Sequence, residues 1–192
     1  MSFLILGLVI FLGAHSLRLF ADGWRQRQIE RLGVNGWKGL FSLVSIAGFV
    51  LIVWGFGQAR LQPELLYRPP PALRHLNALF TLVAFVLFVA AKVPRNHFKQ
   101  KIGHPMLASV KTWAFGHLLA TGMLHDVVLF GTFLLWVVAN FVVSRRRDRL
   151  AGTTYPAGTL AGDVLTVVIG VAAWVAFAFW LHTRWIGVSP FA

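Results

Sequence analysis

Histidine is the residue type in this sequence with the most scope for chemistry. The chain has no cysteine, so thiolate nucleophiles, thiolate metal sites and disulfides are excluded. Its acidic residues all fall in predicted loops or at the ends of apolar segments: Asp22, Glu30, Glu64, Asp126, Asp148 and Asp163. A proton relay or cation pump built on carboxylates needs acids along a path through the membrane. The seven histidines therefore remain as candidates for buried titration or metal ligation.

Two of them, His15 and His117, lie inside apolar segments that are predicted to form different helices. Counted from the nearer charged border, His15 is roughly 7–8 Å deep and His117 roughly 9 Å deep, at about 1.5 Å per residue. A pair at matching depth on two helices is what a bis-histidine haem b requires, with one imidazole on each face of the iron. The alternative is one hydrogen bond between helices for each histidine, worth about 0.6–2 kcal/mol in a membrane.

Three neighbouring residues suit a haem site. Arg18 follows His15 by three positions, so it shares that helix face nearer the border, where a haem propionate would emerge. Lys111 lies near the same border on the helix of His117. Trp113, one turn from His117, could pack against the edge or face of a flat macrocycle. The alternatives are snorkelling for the two basic residues and interfacial or core packing for the tryptophan.

The remaining histidines have simpler interpretations. His104 precedes Pro105 at the start of a predicted helix, so its default role is helix capping, and the alternatives are a substrate contact or a residue that supports the ligands from behind. His97 lies in a basic loop and is predicted to be solvated. Three others, His75, His125 and His182, fall at span ends, where an amphipathic ring is often interfacial.

The composition predicts the elements that must position these side chains. Hydrophobic residues make up 57% of the 192-residue chain and charged residues 12%, which excludes an ordinary soluble domain. Six apolar segments have the length of a membrane-crossing helix: Phe3–Phe20, Gly39–Phe56, Leu73–Ala91, Met106–Met123, Val127–Val143 and Val164–Leu181. We therefore expect an all-α, polytopic membrane helix bundle of about six transmembrane helices, forming a single domain over residues 1–192.

The distribution of positive charge predicts an orientation. Of the 18 lysines and arginines, all lie in or near the first, third and fifth loops except Arg60, Arg68, Arg74 and Arg184. Basic residues concentrate in cytoplasmic loops, so these three loops are predicted to be cytoplasmic and both termini outside, in an inner (plasma) membrane. The net charge of +12 then needs no nucleic acid as a partner. The first loop, rich in arginine, could also form an amphipathic helix on the membrane surface.

Three short motifs resemble those of a known family. They are HSLR at residues 15–18, GHP at 103–105 and KTWAFGH at 111–117. With the six-span layout, they make the chain similar to the NnrU family of membrane proteins linked to denitrification, and through it to the 15-cis-ζ-carotene isomerases. The resemblance implies haem b held by histidines at the positions of His15 and His117, with His104 as a nearby functional residue. Ala114 stands where those isomerases have a cysteine.

Four functions remain open for this sequence. The first is a haem b membrane protein of nitric oxide or nitrite metabolism that acts as a sensor, electron carrier or assembly factor. The second is a haem-dependent cis–trans isomerase of a carotenoid-like polyene. A third is a methyltransferase resembling the isoprenylcysteine family, suggested by His104-Pro105, and a fourth is a helix bundle without a cofactor. The expected partners are the lipid bilayer and either nitric oxide or a membrane-soluble polyene.

Overall fold

Eight α-helices account for most of the computed structural model, which describes residues 1–191. They are α1 (Ser2–Phe20), α2 (Asp22–Arg60), α3 (Ala72–Ala90), α4 (His97–Ile102), α5 (Pro105–Ala120), α6 (Leu124–Leu150), α7 (Leu160–Ala176) and α8 (His182–Ile186). A π-helical turn over Phe177–Leu181 joins the last two. No β-strand occurs within residues 1–191, which confirms the predicted all-α class.

Within residues 1–191, five helical segments are long and apolar enough to cross a membrane: α1, α2, α3, α6 and the continuous segment Leu160–Ile186, which joins α7 to α8. The chain is therefore a multi-pass membrane protein. The fourth predicted span also forms a helix, but α5 has only 16 residues. Its length is about 24 Å, against about 30 Å for the hydrocarbon core. Pro105 fixes its start, and the extended backbone of Thr121 ends it.

The first loop is helical, as its sequence allows. Helix α2 begins at Asp22, well before the predicted span, and its first part is separated from the apolar part at Gly33. Gly33 has a φ of 71° and a ψ of 162°, which interrupts the helix. A side chain at this φ would be strained, so glycine allows the chain to change direction between the two parts.

The chain folds into two compact units, residues 1–66 with 123–132, and residues 67–122 with 133 onward. In the first unit, α1 packs against α2 through glycines. A Cβ added at Gly7 would lie 2.5 Å from the Ile52 nitrogen, and one at Gly48 would lie 2.8 Å from the Phe11 nitrogen. Small residues at these points let the two backbones approach closely, as is typical of membrane helix pairs.

In the second unit, α3 packs between α5 and α7. The Ser109 hydroxyl of α5 donates to the Ala84 carbonyl at 2.7 Å. On the other side, the Trp174 indole N–H of α7 donates to the Thr81 hydroxyl at 3.0 Å. These bonds satisfy polar groups away from water and fix the faces that α5 and α7 present to α3.

A buried asparagine organises the turn between α3 and α5. Asn96, 1% exposed, donates from Nδ2 to the carbonyls of Ala90 and Val93 and accepts from the backbone N–H of Lys99. This last bond caps α4, since asparagine is among the preferred N-cap residues. The cap holds the segment that leads to His104 and α5.

Candidate haem ligands and a polar cluster

His15 lies on α1 with its ring held by the helix itself. Its Nδ1 is 2.7 Å from the Phe11 carbonyl oxygen, four residues earlier. A carbonyl can only accept a hydrogen bond, so Nδ1 donates, and the tautomer that fits this contact has its lone pair on Nε2. The rings of Phe11 and Phe41 lie 4.3 Å and 5.0 Å from the imidazole, measured between centroids.

His117 lies in the last turn of α5 and is held in the same way. Its Nδ1 is 2.8 Å from the Trp113 carbonyl oxygen, again four residues earlier. The Trp113 ring lies 5.4 Å from the imidazole and meets the edge of Phe133 at 5.6 Å. Trp113 thus lies beside His117 on one helix face, and its predicted packing against a haem stays a prediction.

The same tautomer at both histidines is the form that metal ligation through Nε2 needs. Histidines bound to metals usually donate their other ring N–H to a carbonyl or carboxylate, which fixes the tautomer and the ring orientation. Here the protein backbone supplies that acceptor at His15 and at His117. Both side chains thus share one hydrogen-bond pattern, and their joint ligation of one haem stays a prediction.

The two basic residues predicted beside the haem have different surroundings. Arg18 is exposed at the end of α1, in the first unit with His15. Lys111 belongs to the second unit with Trp113 and His117, and its ammonium lies 5.0 Å above the Phe141 ring. A cation–π contact thus holds Lys111, and its predicted contact with a propionate stays a prediction.

His104 does not cap α5 with its side chain. The residue occupies the N-cap position, but its side chain makes no capping bond. Instead its Nε2 is 2.8 Å from Oδ2 of Asp148, near the end of α6. Tyr155 donates its hydroxyl to the same oxygen at 2.6 Å. The capping prediction was wrong because the His104 ring donates to the Asp148 carboxylate, a charge-assisted hydrogen bond, instead of accepting from a backbone N–H at the start of α5.

Asp148, Tyr155 and the nearby Arg145 were not anticipated from the sequence. The Arg145 guanidinium Nη1 lies 3.9 Å from Asp148 Oδ2. One signal was present, since Asp148 is the single acid within the basic run from Arg145 to Arg149. We call His104, Asp148, Tyr155 and Arg145 the polar cluster.

The surroundings of two other histidines also differ from expectation. His97 pairs with Asp163 through both its backbone N–H, at 2.7 Å, and its ring Nδ1, at 2.6 Å, so it is not simply solvated. This pair ties α4 to the start of α7. His125 is only 6% exposed and meets the edge of the Phe56 ring at 5.1 Å, so it is buried within its unit.

We expect Tyr155 to ionise later than an ordinary tyrosine. Burial, followed by the hydrogen bond to the Asp148 carboxylate, raises the pKa of Tyr155 to about 12. The folded state then holds a proton that the unfolded chain releases near pH 10, so stability should fall as the pH rises from about 10 to about 12. An ultraviolet titration should show a late phenolate step that is absent in Tyr155→Phe, whereas a single step near pH 10 would contradict this assignment.

Comparison with known proteins identifies the family. The model of the NnrU protein family matches residues 3–190, which is nearly the whole chain. No curated protein and no solved structure matches the chain significantly. The match includes the HSLR, GHP and KTWAFGH segments that carry both candidate ligands and His104. The chain is thus a member of the NnrU protein family.

Proposed function

We propose that this NnrU-family membrane protein binds haem b through His15 and His117 and acts in nitric oxide or nitrite metabolism by binding nitric oxide at the haem iron. The observation that carries this proposal is the matching tautomer of the two histidines. Each Nδ1 donates to a carbonyl four residues earlier, so that each Nε2 has the lone pair that iron needs.

The residues around the two imidazoles fit a haem. Aromatic rings flank both of them: Phe11 and Phe41 lie beside His15, and Trp113 lies beside His117. Flat apolar side chains suit the faces of a porphyrin and exclude water from it. The chain has no cysteine, so thiolate ligation of a haem is excluded.

Each residue has a defined role in this proposal. The bound haem would supply a one-electron redox centre whose ferrous iron binds nitric oxide. His15 and His117 hold the cofactor, and the helix carbonyls of Phe11 and Trp113 orient the two rings. Arg18 and Lys111 supply positive charge for the propionates at the cytoplasmic border that the charge distribution predicts.

Nitric oxide binding tests the proposal. We expect the visible spectrum of the dithionite-reduced, detergent-purified protein to change on adding nitric oxide, because a ferrous haem held by His15 and His117 would bind the gas. The control is the oxidised protein with the same gas. An unchanged spectrum of reduced haem protein would exclude the nitric oxide role while leaving haem binding intact.

The isomerase hypothesis has less support from this site. Ala114, which stands where the carotene isomerases have a cysteine, is fully buried on α5. Its methyl group offers no chemistry to a polyene. The alternative therefore stays a prediction that rests on the family resemblance alone.

A further inference from the structure

The polar cluster brings three potential metal ligands to one point. His104 Nε2, Asp148 Oδ2 and Tyr155 Oη form a triangle whose sides are 2.8 Å, 2.6 Å and 3.4 Å. The described residues contain no group of three histidines or acids that could hold a metal ion, and this site differs because its third donor is a tyrosine. Nitrogen and oxygen ligands bind metals at about 2.0–2.2 Å, so neighbouring donors of one ion lie about 3 Å apart.

The fold positions all three donors from separate segments. His104 precedes α5, Asp148 lies near the end of α6, and Tyr155 lies in the loop before α7. Gly103 has a φ of 77°, and a Cβ there would lie 2.6 Å from Arg145 Nη1 and 2.9 Å from the Tyr155 ring. This close packing holds the loop that carries His104 against the side chains of Arg145 and Tyr155. Their side chains stay accessible, since His104 is 25% and Asp148 14% exposed.

We propose that His104, Asp148 and Tyr155 form a binding site for a hard trivalent cation, ferric iron, completed by a small oxyanion on Arg145. Carboxylate and phenolate are hard anionic oxygen donors, and imidazole also suits iron. On binding, Tyr155 releases its proton to water, and the proton on His104 Nε2 moves to Nδ1 or to water, so that Nε2 can bind the metal. No electron is transferred, and the site is independent of the proposed haem.

The sum of charges at the site favours a bound anion beside the ferric ion. Asp148 and ionised Tyr155 supply two negative charges, which leaves one positive charge on a bound ferric ion. The Arg145 guanidinium, 3.9 Å from Asp148, would repel that charge. Bicarbonate or phosphate on Arg145 removes the repulsion and donates a further oxygen ligand. Iron binding should therefore require bicarbonate.

Ferric iron itself is the probe for this site. Purified full-length protein is titrated with ferric nitrilotriacetate in the presence of bicarbonate, and bound iron is counted in excess of haem. We expect one additional iron per chain and a visible phenolate-to-iron charge-transfer band in the difference spectrum. Subtracting the spectrum recorded before iron addition removes any haem contribution, so the result does not depend on haem binding.

Matched variants make the test specific. The chain has two tyrosines, so Tyr155→Phe should lose the band while Tyr67→Phe keeps it. His104→Gln and Arg145→Ala should lower iron retention at least tenfold, with Arg146→Ala as the control. No additional iron in the wild-type protein, or equal binding by Tyr155→Phe, would overturn the proposal. Binding that persists without bicarbonate would overturn the role of Arg145.

Discussion

Replacing His117 by alanine is expected to remove most of the haem from the purified protein, and His15→Ala should do the same. A bis-histidine site depends on both axial bonds, so a variant with one imidazole retains a haem that dissociates more readily. The haem-to-protein ratio of each variant, from absorbance after expression with ample haem, should fall at least severalfold. Any haem that remains should lose the spectrum of a six-coordinate centre.

His75 provides the matched control for this prediction. It is exposed near the start of α3, so His75→Ala should retain the wild-type haem content and spectrum. Free imidazole added to His117→Ala should restore part of the six-coordinate spectrum, because it can enter the space that the side chain leaves. Equal haem content in the His15, His117 and His75 variants would show that neither candidate histidine is a ligand.

The second large effect is expected at Gly55, where α1 and α2 are closest. A Cβ added at Gly55 would contact the Leu4 nitrogen and would lie 2.6 Å from the Phe3 carbonyl carbon and 2.7 Å from the Leu4 α-carbon. These are backbone atoms, so no side-chain rotation can relieve the overlap, and α1 must move away from α2. Gly55→Ala should lower the free energy of unfolding by about 2–3 kcal/mol.

Gly57 is the control for this substitution, because it lies on the same helix two residues later. A Cβ at Gly57 would meet nothing within 4 Å, and alanine is the better helix former. Gly57→Ala should therefore leave the stability unchanged or raise it slightly. Unfolding in mixed detergent micelles, followed by circular dichroism, measures both variants. Equal stabilities of Gly55→Ala and Gly57→Ala would contradict the close approach of α1 and α2.

The membrane helices were predictable because their signal is local. Each apolar segment needs only its own composition to indicate a span, and five of the six predicted segments became helices long enough to cross a membrane. The length of α5 was less predictable, since its apolar segment continues to Met123 while the backbone becomes extended at Thr121. In that region, the Tyr67 hydroxyl donates to the Leu118 carbonyl, a contact across 51 residues.

The candidate site was predictable only in part. His15, His117 and Trp113 were proposed from depth and helical spacing, which depend on sequence position within one helix. The polar cluster depends on contacts of His104 with residues 44 and 51 positions away. The periodicity of apolar residues indicates helices and their faces, but it does not indicate contacts between such distant residues. The pairing of His97 with Asp163, 66 positions apart, was missed for the same reason.

The central claim is that His15 and His117 hold haem b. The most direct measurement is the visible spectrum of the wild-type protein, purified in detergent from cells supplied with haem, before and after reduction with dithionite. We expect a Soret band and sharp α and β bands in the reduced state, with about one haem per chain. A folded, colourless protein would contradict it, and the two histidines would then be hydrogen-bonded residues of a helix bundle.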